Sequence, residues 1–250
     1  MGGTAPLPSV ECMTAEPTIV LVHGAFTDAA SWAPVTRRLL DLNYVVRAPS
    51  LPGRGLADDA AYLREFAEQL ETPVLLVGHS YGGAVITVAG DARTVVGLVY
   101  ISGFALEEGE SIGRLQGDFP DTELASNLVY SRVPSGGSEP GMDVSVAIDS
   151  FPEVLAAEVP LAVAEVMAVS QRPLAATVFG EPARVAAWRK LPSWGVVASA
   201  DRAVSPDLTR FAYARAGVRE VVEIDAPHLV MQARPDEVVA VLSRAATAVR

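Results

Sequence analysis

Two serines in this sequence lie in the pattern G-x-S-x-G, whose small residues let the backbone turn sharply and present a hydroxyl at the head of a helix. One is Ser80, in Gly78-His79-Ser80-Tyr81-Gly82, and the other is Ser111, in Gly109-Glu110-Ser111-Ile112-Gly113. A hydroxyl presented in this way can attack a carbonyl carbon once a base removes its proton. Both serines are therefore candidate nucleophiles.

The sequence around the two serines favours Ser80. The turn requires a buried strand before the serine and a helix after it. Ser80 directly follows the apolar run 73–77 and precedes two glycines, whereas Ser111 lies beside the acidic segment 107–110. Carboxylates there would oppose the negative charge that develops on a carbonyl oxygen. We predict that Ser80 is the nucleophile and that Ser111 is an ordinary residue of a loop or an inserted cap.

Histidine is the usual base for a serine nucleophile, and the chain has 3 histidines. His79 adjoins Ser80 within the turn, where neighbouring side chains point apart. His23 directly follows the first predicted strand, where we expect it to shape the next loop. His228 lies in the loop after the last predicted strand, and sites of parallel sheets form at the carboxyl ends of their strands. We predict His228 as the base.

A carboxylate should orient the imidazole and stabilise its charged form. Asp201 follows the predicted strand 194–198 and gives the chain order Ser, Asp, His that is typical of one class of such triads. Asp225 is the alternative, because it lies close to His228 in sequence, and its ordinary role would be that of a loop residue. We predict Asp201 as the acid of the triad.

The segment His23-Gly24-Ala25-Phe26 follows the first predicted strand, where a loop amide can point at the same oxygen as the amide after the nucleophile. We assign this oxyanion hole to the backbone N–H groups of Ala25 and Tyr81, with Phe26 as the alternative donor. The Phe26 ring is expected either to line the substrate pocket or to pack as a core aromatic.

Short β-branched runs alternate with amphipathic segments, which predicts an α/β fold with a mainly parallel sheet of about six strands and helices on both faces. We assign residues 17–103 and 191–250 to this core. Residues 104–190 begin with irregular Pro- and Gly-bearing sequence and continue with apolar stretches of helical spacing. They are predicted to form a helical cap inserted before the acid-bearing strand.

The composition excludes several classes of protein. The chain has 250 residues, is 50% hydrophobic and carries a net charge of −11, which disfavours nucleic acid and anionic membrane surfaces as partners. Its single cysteine, Cys12, cannot form an internal disulfide or a cysteine-based metal cage. Residues 1–16 show no signal-peptide pattern and are predicted to be a flexible leader, with Met13 as an alternative start. We expect a cytoplasmic protein.

Taken together, these motifs resemble the α/β-hydrolase superfamily. The matching segments are His23-Gly24-Ala25-Phe26, Gly78-His79-Ser80-Tyr81-Gly82-Gly83, Asp201-Arg202 and Ala226-Pro227-His228. The short stretch before the first strand is similar to the branch of methylesterases and hydroxynitrile lyases and to many small bacterial esterases. This resemblance implies a serine hydrolase that cleaves a small carboxylic ester by two-step acyl transfer, without metal or organic cofactor, with substrate between core and cap.

Other uses of the same residues stay open. Leu229 follows His228 where hydroxynitrile lyases of that branch carry a lysine, which argues against cyanohydrin cleavage. Haloalkane dehalogenases and epoxide hydrolases of this fold carry aspartate at the position of Ser80, which argues against both of these reactions. The remaining alternatives are a cofactor-independent lyase, a perhydrolase or natural-product tailoring enzyme, and a ligand-binding protein that retains the triad.

Overall fold

The computed structural model describes residues 16–134 and 140–250 of the chain. The leader predicted for residues 1–16 lies outside these ranges except for Glu16, and so do Cys12 and Met13. Within the described ranges, no helix combines the length and the apolar character that crossing a bilayer requires.

The strands form two separate sheets. In chain order they are β1 Thr18–Val22, β2 Val46–Arg47, β3 Val74–His79, β4 Val95–Ile101, β5 Leu128–Val133, β6 Gly141–Val146, β7 Leu174–Ala175, β8 Ser193–Ala198 and β9 Glu220–Ile224. One sheet has six strands in the order β2-β1-β3-β4-β8-β9, and all of its neighbours run parallel. The predicted mainly parallel sheet is therefore confirmed.

Helices cover both faces of this sheet. Strands β1, β3 and β8 are accordingly buried along their whole length. In chain order the helices are α1 Ala33–Asp41, α2 Leu56–Glu68, α3 Tyr81–Ala89, α4 Ile112–Gly117, α5 Glu123–Ser126, α6 Phe151–Leu155, α7 Leu161–Val169, α8 Pro206–Arg215, α9 Val230–Ala233 and α10 Pro235–Ala248. Short 3₁₀ turns cover Ala29–Trp32, Ala176–Gly180 and Ala187–Arg189.

The segment between β4 and β8 contains more than the predicted helices. Helices α4 to α7 lie in it, but so does the three-stranded antiparallel sheet β5-β6-β7, which we did not predict. Strand β5 is largely exposed, and only part of β6 is buried. Strands held mainly by backbone pairing leave a weak hydrophobic pattern in the sequence, which is why this sheet escaped detection.

The register of the parallel strands brings their carboxyl ends to one edge of the sheet. The pairs at this edge are Val22 with Gly78, His79 with Ile101, Ile101 with Val196 and Ala198 with Ile224. The loops that follow β1, β3, β8 and β9 therefore meet there. They carry the predicted site residues, which are Ala25, Ser80, Asp201 and His228.

The turn from β3 to α3 is so tight that Gly78 cannot be replaced without moving backbone. A Cβ atom at Gly78 would lie 2.4 Å from the carbonyl oxygen of Gly82. Backbone atoms of a packed turn cannot move aside as a flexible side chain can. The first glycine of the motif is thus required by the geometry of the turn.

We expect Gly78→Ala to lower the free energy of unfolding by at least ~2 kcal/mol, because the added methyl group forces the turn apart. Gly117→Ala is the matched control, since a Cβ at Gly117 meets nothing within 4 Å. The control should change the free energy of unfolding by less than ~1 kcal/mol. Urea denaturation measures both, and equal effects of the two substitutions would contradict the analysis.

Candidate active site

Ser80 occupies a strained backbone conformation between β3 and α3, with φ 51° and ψ −119°. The surrounding chain holds it there. The Ser80 N–H donates to the carbonyl of Ile101 at 3.1 Å, and the Ser80 carbonyl accepts from Gly83 N at 2.9 Å and Phe104 N at 3.2 Å. Strain of this kind persists where the surroundings fix it, and it clusters at functional sites.

Ser111 has a different setting although its sequence motif is the same. It precedes α4 with an ordinary extended backbone, φ −107° and ψ 161°. Its hydroxyl accepts a hydrogen bond from Arg114 N at 3.3 Å, which caps the helix. The strained strand-to-helix turn thus belongs to Ser80, as the context of the two motifs indicated.

His228 and Asp201 form a buried pair. Nδ1 of His228 donates to Oδ2 of Asp201 at 2.7 Å, which leaves Nε2 free as an acceptor. The second carboxylate oxygen of Asp201 accepts from the amides of Ala203 and Val204 at 2.7 and 2.9 Å. Asp225 is exposed and, among the described residues, makes no hydrogen bond to His228. The structure thus brings together the predicted base and the predicted acid.

The hydroxyl of Ser80 makes no hydrogen bond to the residues that the structure describes, so the nucleophile and the base are not hydrogen-bonded here. Ser80 is adjacent to His79, whose ring centroid lies 4.6 Å from that of His228. Catalytic hydrogen bonds are often long in the absence of substrate and tighten when it binds.

His79 links the serine turn to the backbone of His228. Its Nε2 donates to the carbonyl oxygen of His228 at 3.0 Å, and its ring packs edge-on against Trp32. The side chain is fully buried, and this burial lowers the pKa of His79 well below its ordinary value. A neutral His79 thus positions the candidate base. The sequence had suggested only that His79 points away from Ser80.

His23 connects two loops, in agreement with the expected structural role. Its Nδ1 donates to the carbonyl of Gly24 at 2.8 Å, and its Nε2 accepts from Leu51 N at 3.0 Å. Burial is the main cause that lowers the pKa of His23, so the ring is neutral near pH 7. Both ring nitrogens of His23 are therefore occupied, and the acceptor Nδ1 of His79, which has no partner among the described residues, is buried.

The amides assigned to the oxyanion hole are free donors. Tyr81 is the first residue of α3, and Ala25 lies in the turn after β1. Neither amide, nor that of Phe26, donates to another residue in the described part of the chain. Free N–H groups at a helix N-terminus favour negative charge. Both Ala25 and Phe26 therefore stay candidates for the second donor.

The loop carrying Ala25 packs directly on the serine turn. A Cβ atom at Gly24 would lie 2.7 Å from Nδ1 of His79 and 3.0 Å from Cβ of Ser80. Only glycine allows this approach, which brings the loop amides close to the serine. Phe26 has φ 63°, the second strained residue at this site.

The buried carboxylate of Asp59 fixes the side chain of Tyr81, and sequence reasoning missed this contact. The Tyr81 hydroxyl donates to Oδ2 of Asp59 at 2.6 Å, and Gly53 N donates to Oδ1 of Asp59 at 2.9 Å. Burial raises the pKa of Asp59 and also that of Tyr81. Asp59 looks like any polar residue of an amphipathic helix, so the sequence holds no signal for this contact.

The arrangement fits serine chemistry without further groups from the chain. Among the described residues, no three His, Cys, Asp or Glu side chains come close enough together to hold a metal ion. The pieces in place are a strained serine, a buried imidazole–carboxylate pair and free backbone donors. Nucleophilic acyl transfer by a serine uses groups of these kinds.

Comparison with known proteins decides the family. The model of the "Alpha/beta hydrolase family" matches residues 19–241 of this chain. The chain belongs to the alpha/beta hydrolase family. The resemblance inferred from the motifs is thereby confirmed at the level of the family and its fold.

This hydrolase is similar to known proteins over most of their length. It is 26% identical to the alpha/beta hydrolase nvfD of Aspergillus novofumigatus, over 92% of this chain and 97% of that protein. The structure of polyneuridine aldehyde esterase superposes with a TM-score of 0.80 at 18% identity, covering 92% and 99% of the two chains. The methylesterase protein MES16 from Arabidopsis superposes with a TM-score of 0.76 at 18% identity, covering 92% and 99%.

We expect His79 to make the hydrolase less stable in acid. Its pKa is lowered in the folded state, so below about pH 6.5 the unfolded chain binds a proton that the folded chain does not, at a cost of about 1.4 kcal/mol per pH unit. His79→Gln keeps a side-chain N–H donor but cannot be protonated. Urea denaturation between about pH 7.5 and about pH 5 should therefore show a shallower loss of stability in the variant.

Because the other titratable groups are common to both proteins, the difference between the two pH profiles isolates His79. Profiles that fall in parallel would mean that His79 takes up its proton in the folded state.

Proposed function

We propose that this hydrolase is a serine carboxylic ester hydrolase that cleaves a small-molecule ester through Ser80, His228 and Asp201. The observation that carries the proposal is the buried 2.7 Å hydrogen bond between His228 Nδ1 and Asp201 Oδ2, which leaves Nε2 as a proton acceptor beside the strained serine turn. Two proteins that share the fold are polyneuridine aldehyde esterase and the methylesterase protein MES16. They support an ester as the substrate and a methylesterase-like branch.

In the first step, Nε2 of His228 takes the proton of Ser80 as the hydroxyl oxygen attacks the ester carbonyl carbon. The carbonyl oxygen becomes negative and accepts hydrogen bonds from the amides of Tyr81 and Ala25. Each such donor typically contributes ~3 kcal/mol in the transition state. His228 then gives its proton to the departing alcohol, and an acyl group remains on Ser80.

In the second step, water replaces the alcohol. His228 removes a proton from the water as its oxygen attacks the acyl carbon, and the same amides stabilise the oxyanion. The proton returns to Ser80 as the carboxylic acid leaves. Asp201 stabilises the imidazolium form of His228 in both steps.

We expect Ser80→Ala to lower kcat for p-nitrophenyl esters by at least ~10⁴-fold, because no other group can form the acyl intermediate. Ser111→Ala, in the second G-x-S-x-G motif, is the matched control and should retain kcat within about twofold. A serine-directed phosphonate followed by mass mapping should label the peptide that contains Ser80. Retained turnover in Ser80→Ala, or labelling at Ser111, would refute the assignment.

We expect Asp201→Asn to lower kcat/KM by about 10³-fold or more, because asparagine no longer stabilises the charged imidazole or fixes its tautomer. Asp225→Asn is the control, since Asp225 is the nearby carboxylate that does not contact His228 in the structure. Steady-state kinetics on the same esters compares the two variants. If Asp225→Asn is the more damaging change, Asp225 is the acid.

A further inference from the structure

A cavity of about 380 Å³ lies between the loop after β1 and helix α7 of the inserted segment. Phe26 and Pro34 line it from the core, and Val163, Val166 and Met167 line it from α7. The cavity lies within the size range of small-molecule sites. Neither Ser80 nor His228 lines it, so its use must depend on its connection to the serine turn.

Phe26 provides this connection. Its buried ring lines the cavity, and the residue also lines a smaller pocket together with Ala25 and Tyr81. Phe26 directly follows Ala25, one of the residues whose amide faces the proposed oxyanion. A group held in the cavity therefore lies next to the loop that would hold the reacting carbonyl.

The polar side chains that line the cavity already have hydrogen-bond partners in the protein. They are Thr27, Asp28, Ser31, Ser170, Gln171 and Gln232. Gln171, for example, accepts from Val146 N and donates to Val146 O, both at 2.8 Å. Since these groups already bind the backbone and the other lining residues are apolar, what the cavity offers a ligand is mainly apolar contact.

The charge around the cavity also favours an uncharged ligand. Asp28 is the charged residue among those lining it, and one of its oxygens already accepts from Ala30 N at 2.8 Å. A second carboxylate placed there would lose water and face a like charge. The net charge of −11 adds to this repulsion.

We propose that this cavity binds an uncharged alkyl group of the ester substrate, which makes Phe26, Val166 and Met167 specificity-determining residues. The proposal rests on the proposed ester hydrolysis. At the ~30 Å³ that a water molecule occupies in the liquid, 380 Å³ corresponds to roughly a dozen non-hydrogen atoms. The substrate class is thus neutral esters with a medium-length alkyl chain, in either the acyl or the alcohol part.

Two substitutions on one helix test the proposal. Val166→Trp fills the cavity from α7, whereas Val169→Trp adds the same side chain to the same helix outside the cavity. The two valines are 63% and 69% exposed, so neither substitution forces a ring into the packed core. The readout is the ratio of kcat/KM for methyl octanoate or octyl acetate to that for methyl acetate, followed by acid release.

In the unsubstituted protein, at least one of the two ratios should exceed about ten, because each buried methylene strengthens transition-state binding. Val166→Trp should lower that ratio at least about tenfold, and Val169→Trp should keep it within about twofold. The ester that responds identifies whether the acyl or the alcohol chain enters the cavity. Equal ratios in the two tryptophan variants would overturn the proposal.

Charge discrimination is a second arm of the test. Monomethyl suberate matches methyl octanoate in length but carries a carboxylate at the far end of its acyl chain. If the acyl chain enters the cavity, its kcat/KM should be lower at least about tenfold, because the carboxylate would lie near Asp28 without water. If the alcohol chain enters, the comparison is made with an octyl acetate analogue that ends in a carboxylate. Equal turnover of the charged and neutral esters would contradict the proposal.

Binding without catalysis separates this proposal from the proposed function. Ser80→Ala protein with ¹³C-methyl methionine is titrated with methyl octanoate and octyl acetate, and the Met167 resonance is assigned with Met167→Leu. A saturable shift of that resonance, abolished by Val166→Trp and retained in Val169→Trp, supports the cavity even if no ester is hydrolysed. Hydrolysis of both long-chain esters without any shift at Met167 would leave the proposed function intact and overturn the cavity assignment.

Discussion

The tight turn at Ser80 is the constraint on which the rest of the site depends. A non-glycine residue with φ 51° and ψ −119° costs of order 1–3 kcal/mol, and it persists because its surroundings fix it. The end of β4 supplies a hydrogen-bond acceptor from Ile101, and Gly78 allows the closest backbone approach. The buried parallel sheet thus provides the rigidity with which one hydroxyl is presented.

The residues around this turn form one set of buried polar contacts, in which neutral and charged groups have separate tasks. His79 is kept neutral by burial and binds the backbone of His228, while Asp201 receives three hydrogen bonds, from Nδ1 of His228 and from two loop amides. Asp59 holds the Tyr81 side chain and so steadies the start of α3. Because unpaired polar groups are costly when buried, these contacts restrict the loops to one arrangement.

The core and the inserted segment contribute different things to the site. Every candidate catalytic residue follows a strand of the six-stranded sheet, whose parallel register brings the loops together. The segment between β4 and β8 supplies helix α7, which forms one wall of the cavity beside Phe26. Few residues of α7 are buried. A rigid sheet therefore carries the proposed chemistry, and the less buried segment between β4 and β8 is free to vary the shape of the proposed substrate site.

The sequence by itself determined the core. The predicted strand 194–198 lies within β8, Ser193–Ala198, because strands buried on both faces require continuous apolar runs that are visible in one dimension. The same logic distinguished Ser80 from Ser111. Only the tertiary structure decided which carboxylate meets His228, that His79 binds the His228 carbonyl, that Asp59 holds Tyr81, and that β5 to β7 form a sheet. The first three contacts join segments distant in sequence, and loop conformation and strand register, which leave no local pattern, decide all four.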